Sequence, residues 1–353
     1  MTAGPVRVLI VDDSALVRQI LSRLLATDPA IHVVGTAPDP VTAERKLETL
    51  APDVLTLDVE MPRMDGLAFL ERLMRVRPMP VVMVSALTQR GCEATLRALE
   101  LGAVDVVPKP HVDVRERLED VAAELVAKVK AAARARPRPR RAAAAAPRPP
   151  ASGMPTYRAS EAVVVIGAST GGTEALREIL TALPATAPGI VIVQHMPEGF
   201  TAAFARRLDA LAAVRVAEAA DGDRVLPGHA LVAPGNRHVR LVRDGAAVRV
   251  ALVDGPPVNQ HRPSVDVLFA SAAAALGPNA VGVLLTGMGR DGAEGLLALR
   301  RAGARTIAQD EATSVVWGMP REAIALGAAE RVLPLDHIPG AILALAAAGR
   351  AAR

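Results

Sequence analysis

Apolar residues recur along this chain in short continuous runs, each stopped by a polar or charged residue and followed by a stretch of helical character. In the first part the runs are VRVLIVDD, HVVGTA, DVLTLDV, VVMVSA and DVVPKP. Runs this short that do not alternate belong to strands buried on both faces, so the rhythm predicts a parallel sheet with crossover helices. Beyond Ser160 the rhythm resumes with AVVVIGAS, GIVIVQHM, HALVAPG, AVGVLLTGMG and RTIAQDE. Between the two series, from about Ala131, stands AAARARPRPRRAAAAAPRPPASGMP, which lacks the large apolar residues a core needs and reads as a linker. The expected organisation is an α/β domain over 1–125, a helical and Pro/Arg/Ala-rich linker over 126–159, and a second α/β domain over 160–350.

Composition sharpens this picture in three places. The 353 residues, 51% of them hydrophobic, suffice for two cores. The opening MTAGPVRVLIVDD is too short and too charged for a signal peptide or membrane span, and Cys92 is the only cysteine, so a cytoplasmic protein without membrane insertion or disulfides is expected, with Cys92 as a small buried hydrophobe. The formal charge of +4 is local: taking away the six arginines 134, 136, 138, 140, 141 and 148 leaves −2 for the remainder. With 2% aromatics as well, the folded parts offer neither a basic face nor a stacking platform, and no nucleic-acid partner is expected.

In open α/β sheets ligands gather beyond the carboxyl ends of strands, and there the chemistry-bearing residues fall. Asp12 and Asp13 follow the first strand and Asp58 ends the third. Three clustered carboxylates call for a cation, and a hard divalent ion such as Mg2+, which takes carboxylate and phosphate oxygens together, suits phosphoryl chemistry. Lys109 adds a positive charge after the fifth strand, and Ser85 a hydroxyl after the fourth. Taken singly, each has a plainer reading, as a turn acid, a surface lysine or a helix cap.

The segments VDDSALVRQIL, LDVEMPRMDGL, VSALT and LGAVDVVPKP stand in the order found in response-regulator receiver domains, and the resemblance covers nearly all of residues 5–125. It implies a flavodoxin-like doubly wound sheet in which Asp58 is the phosphoacceptor, Asp12, Asp13 and Asp58 bind Mg2+ together with the backbone carbonyl of Glu60, and Ser85 and Lys109 sense the phosphoryl group. The position that often carries an aromatic switch residue in that family is Val106 here.

The second series opens with VVVIGASTGGTEAL. A dinucleotide site needs G-x-G-x-x-G and an acid ending the next strand, and a P-loop needs a lysine after its glycines; this segment has none of them. What it does contain is G-x-S-x-G from Gly167 to Gly171, in which a serine at the apex of a sharp strand-to-helix turn is either a helix cap or an exposed nucleophile. A serine hydroxyl needs a base and the base an orienting acid; His195 ends the next strand of the series and Asp291 lies in the glycine-rich loop LLTGMGRDGAEG. Backbone N–H groups at Thr170 and Met288 stand where oxyanion donors would be wanted. His229, His238 and His261 lack the close pairing of a zinc site, Trp317 reads as core or pocket wall, and His337 as a loop residue.

This half resembles the protein-glutamate methylesterases of bacterial chemotaxis, through IGASTGGTEAL, IVQHMP, VAPGNRHV, HRPSVDVLF, LLTGMGRDGAEGL and AQDEATSVVWGMPREAI. The resemblance implies a Rossmann-like doubly wound domain joined to the receiver by a flexible linker. It makes Ser169 the nucleophile, His195 the general base and Asp291 its partner, with no cofactor at the esterase site. It further implies that methylated chemoreceptors are the substrate, that receptor glutamines are deamidated, that a chemotaxis histidine kinase is the phosphodonor, and that the unphosphorylated receiver covers the esterase site. Two rivals remain: a regulator whose second domain binds DNA, which the net-acidic folded parts oppose, and an esterase of small molecules.

Overall fold

A computed structural model describes residues 4–61, 66–86, 88–109, 115–135 and 162–348. The chain divides into two compact units, Met1–Ala144 and Ala145–Arg353.

In the first unit strands and helices alternate as β1 (Val6–Val11), α1 (Ala15–Leu25), β2 (Ile31–Ala37), α2 (Pro40–Leu50), β3 (Val54–Asp58), α3 (Gly66–Val76), β4 (Val81–Ser85), α4 (Gln89–Glu100), β5 (Asp105–Pro108) and α5 (Arg115–Arg134). The strands are all parallel in the order β2-β1-β3-β4-β5. Val8, Leu9, Ile10, Leu55 and Val82 are fully buried, because helices cover both sheet faces and leave no side for polar alternation. Cys92 is buried as expected. The strand order reverses between β1 and β3, and Val11 pairs with Leu57, so Asp12 and Asp58 are the next residues on neighbouring strands. Helix α5 runs to Arg134 and so occupies the start of the 126–159 segment; residues 136–159 lie outside the described residues.

The second unit is built from β6 (Val163–Ala168), α6 (Gly172–Ala182), β7 (Gly189–Gln194), α7 (Phe200–Asp209), β8 (Arg215–Glu218), β9 (His229–Val232), β10 (His238–Asp244), β11 (Ala247–Val253), α8 (Val265–Leu276), β12 (Ala280–Leu284), α9 (Ala293–Arg301), β13 (Arg305–Gln309), α10 (Met319–Ala325), β14 (Arg331–Leu333) and α11 (Ile338–Ala348). Seven strands form one parallel sheet in the order β14-β13-β12-β6-β7-β9-β8, and β10 and β11 form a separate antiparallel hairpin. The five apolar runs of this half are β6, β7, β9, β12 and β13. The remaining sheet strands, β8 and β14, are short edge strands that each begin with an arginine. His337 closes a 3-10 turn, Leu335–His337, rather than standing in an open loop. Phe269, Leu268, Val265 and Ala272 of α8 are fully buried against Val165, Val193 and Leu284, so α8 is pressed into the sheet. Among the described residues no helix is long and apolar enough to cross a membrane.

Candidate functional site

The switch point of the second sheet lies between β6 and β12, with β7 on the far side of β6, and three strand ends meet there. In β6 and β7, Ala168 pairs with Gln194, and His195 N donates to Ala168 O at 3.1 Å, so Ser169 and His195 leave the sheet side by side. After β12 the chain passes through Thr286, Gly287 and Met288, and Ser169 N donates to Thr286 O at 3.0 Å. Gly287 must be glycine for space: a Cβ there would fall 2.7 Å from Ser169 Cβ and against Met319 Sδ. Gly171 adopts φ +76° at the start of α6, a conformation in which L side chains are strained, and this lets the chain turn from strand to helix immediately after the serine.

His195 Nε2 lies 2.9 Å from Asp291 Oδ2, with both residues buried. His195 Nδ1 is buried and has no hydrogen-bond partner among the described residues. Asp291 is held by four further donors. Oδ1 accepts from Ser264 Oγ (2.8 Å), Asn259 Nδ2 (2.9 Å) and Asp266 N (3.2 Å), and Oδ2 accepts from Val265 N (2.7 Å). Two of these are backbone groups at the start of α8, where the helix favours negative charge. Burial pushes the Asp291 carboxyl up, but the hydrogen bond and charge of His195, with the bonds from Asn259 and Ser264, outweigh it and hold the group well below the usual carboxylate range. The acid is therefore ionised at neutral pH and fixed in place.

Gln194 adds a clamp that sequence reasoning did not single out: its Nε2 donates to Ser169 O at 2.9 Å and to His195 O at 3.3 Å. His261 stacks on His195 with ring centroids 3.7 Å apart. His238 accepts from Ser264 N at 3.2 Å and thereby braces the start of α8, whereas His229 is exposed at the start of β9. Asn259, Ser264 and Gln194 carried no separable sequence signal, because a polar residue in a loop gives no hint of a partner 25 to 32 positions away. Thr170 is buried and its carbonyl accepts from Thr286 Oγ1 at 3.0 Å. Met288 is half-buried, and its backbone N–H has no acceptor among the described residues. Trp317 bridges Gly287 next to that loop.

In the first unit, carboxylate oxygens of Asp12, Asp13 and Asp58 lie within 4.8 Å of one another. Lys109 Nζ is 2.7 Å from Asp58 Oδ2 and 3.4 Å from Asp12 Oδ2, the latter oxygen having no other partner among the described residues. Burial, together with the charge of Asp12, pushes Asp58 up to about 6 despite Lys109. Asp12 is also raised by burial, with Asp13 adding to the effect. A single lysine does not balance three acids, and the under-satisfied, oxygen-only donor set fits a divalent cation such as Mg2+. Glu60 N donates to Asp58 Oδ1 at 3.1 Å, which fixes the backbone beside the cluster. Ser85 Oγ donates to Gly91 O of α4 at 3.2 Å, and Lys109 N to Ser85 O at 2.8 Å. Val106 is buried in β5.

Two family models match the chain: the response regulator receiver domain over residues 8–121 and the CheB methylesterase over residues 164–342. A protein-glutamate methylesterase/protein-glutamine glutaminase 5 of Anaeromyxobacter dehalogenans is 61% identical, with 98% of each chain covered. The corresponding enzyme 1 of Xanthomonas euvesicatoria pv. vesicatoria is 56% identical over 98% of this chain and 99% of its own. The crystal structure of the Thermotoga maritima CheB methylesterase catalytic domain aligns over all of that chain and 54% of this one, at 40% identity and a TM-score of 0.51. Two buried parallel sheets of the expected topology, a receiver match at one end and these relatives along the full length lead to one assignment: the chain belongs to the CheB methylesterase family.

Proposed function

We propose that the chain is a phosphorylation-activated protein-glutamate methylesterase, which hydrolyses glutamyl methyl esters on the cytoplasmic domains of chemoreceptors and deamidates receptor glutamines. The observation that carries the reading is the convergence of Ser169, His195 and Asp291 at one sheet edge, with the His195–Asp291 bond at 2.9 Å and the second imidazole nitrogen without a partner among the described residues. Ser169 Oγ attacks the ester carbonyl while His195 takes its proton; His195 then protonates the departing methanol, and water cleaves the acyl-enzyme to restore the glutamate. Asp291 stays ionised throughout and stabilises the imidazolium. Met288 N–H and Thr170 N–H serve the oxyanion, each donor being worth on the order of 3 kcal/mol. An amide follows the same route when His195 protonates the leaving nitrogen. No step calls for a cofactor at this site.

In the receiver, residues 1–125, the phosphoacceptor is Asp58. Asp12, Asp13, Asp58 and the Glu60 carbonyl would hold Mg2+, which when bound offsets the charge that builds up on a transferring phosphoryl group. Lys109 pairs with Asp58 before the transfer and supplies positive charge to its product, and Ser85 exchanges its bond to Gly91 for one to the phosphoryl oxygen. The donor is a chemotaxis histidine kinase, the linker over 126–159 joins the receiver to the catalytic domain over 160–350, and the protein works in the cytoplasm. Methanol release from a methylated receptor fragment, measured with and without phosphodonor, tests both halves.

A further inference from the structure

The carboxamide of Asn259 stands between two acids. Its single nitrogen lies 2.9 Å from Asp291 Oδ1 and 2.7 Å from Asp266 Oδ2, so its two hydrogens are divided between them. Asp266 follows Val265 at the start of α8, and its Oδ1 accepts from Gly295 N at 2.7 Å. Two carboxylates that meet on one nitrogen repel one another, and without a donor between them such a pair shares a proton. Burial and the charge of Asp291 already push Asp266 up.

The segment that delivers this carboxamide is a closed turn: Val258 N donates to His261 O and His261 N to Val258 O, both at 3.0 Å. Within it Asn259 and Gln260 have φ of +51° and +68°. Left-handed backbone favours asparagine, whose short amide bonds locally, so the turn has a reason to contain Asn at this place. The same turn ends in His261, whose ring lies on His195. One short segment thus touches both members of the His195–Asp291 pair.

Resting on the reading of that pair as catalytic, we infer that Asn259 is a positioning residue: its amide group separates Asp266 from Asp291 and keeps Asp291 unprotonated and aimed at His195. Asp266 supplies the second anchor for the amide and does not itself meet the substrate.

The test is methanol release by the full chain acting on a chemoreceptor fragment carrying glutamyl methyl esters, with kcat and KM resolved. Asn259→Gly keeps the left-handed backbone but removes the amide, and Asn259→Asp keeps the shape but replaces donor by acid. Both are expected to lower kcat by about tenfold to a hundredfold while KM stays within about twofold, since the loss is one of orientation rather than substrate contact. The exchange variant, Asn259→Asp with Asp266→Asn, moves the amide to the outer position and leaves an acid facing Asp291, so it is expected to recover little of the kcat lost by Asn259→Asp. If both single variants retain kcat within about twofold while Asp291→Asn loses it, the inference fails and the functional reading stands. If the exchange variant regains native kcat with an acid still facing Asp291, the inference also fails. If Asp291→Asn itself keeps native kcat, the functional reading falls and the inference with it.

Discussion

His195 meets Asp291 through Nε2, at 2.9 Å, and its Nδ1 is buried without a partner among the described residues. The acid therefore anchors the far nitrogen of the ring, and the proposed mechanism assigns the nearer nitrogen to Ser169. His195 leaves β7 opposite the β6 end that carries Ser169.

Replacing this acid by its amide tests the arrangement. Asp291 accepts from five groups, so in Asp291→Asn the new NH2 must face at least one donor, and the amide cannot stabilise an imidazolium as a carboxylate does. We expect kcat for methanol release to fall by about a thousandfold to ten-thousandfold and the unfolding midpoint to drop. A loss smaller than about tenfold would mean that the bond to His195 plays little part in turnover.

Asp58 predicts the pH dependence of receiver stability. Its native pKa is about 6 against an ordinary 3.8, so the folded receiver holds this proton more tightly than the unfolded chain does. The contribution of the group is largest below pH 3.8 and is lost as pH rises through about 6. Asp58→Asn should therefore raise the receiver's unfolding midpoint at pH 7.5 in the absence of divalent ions and have no such effect near pH 4, as followed by scanning calorimetry. Equal shifts at both pH values would contradict the buried-charge account.

Gly287 predicts a local steric effect. A methyl group in Gly287→Ala would meet both Ser169 Cβ and Met319 Sδ. The strand end must then shift, and we expect overpacking to cost about 1–3 kcal/mol, with methanol release reduced along with stability. Native activity in this variant would mean that Ser169 has freedom the packing denies it.

Lys128 is set in a network inside the receiver: its Nζ is 2.6 Å from Val106 O, 2.8 Å from Glu124 Oε1 and 3.2 Å from Asp105 Oδ1. Burial lowers its pKa, but the two acids more than reverse this and hold it above the usual lysine value. Its stabilising effect is thus fully present below the ordinary pKa of 10.5 and is lost only as pH rises through the higher folded value. Lys128→Met removes this buried cation from beside Asp105 and Glu124 and should destabilise the receiver by roughly 3 kcal/mol at pH 7, measured by denaturant unfolding; a change under about 0.5 kcal/mol would place the network among those that contribute little.

How far the sequence carried these conclusions depended on the kind of contact. Strands buried on both faces appear as apolar runs, and the residue ending each run is placed at the sheet edge by that fact alone; Asp58, Ser169 and His195 were legible for this reason. The hairpin of β10 and β11 has its own sequence signal, two alternating runs joined by Asp-Gly, with Gly245 at φ +60° in the turn. Edge strands β8 and β14 had almost none, being four and three residues long. The supports of Asp291 were hidden for a different reason. Asn259 and Ser264 reach it across the fold, through a left-handed turn and a helix start whose location only the packing of α8 against β6 determines.

The most direct measurement is methanol release from a methylated chemoreceptor fragment in Mg2+, with and without a small-molecule phosphodonor, comparing the native chain with Ser169→Ala and Asp58→Ala. The account predicts release that vanishes in Ser169→Ala, and that rises with phosphodonor in the native chain but not in Asp58→Ala. Release by Ser169→Ala at the native rate would contradict it.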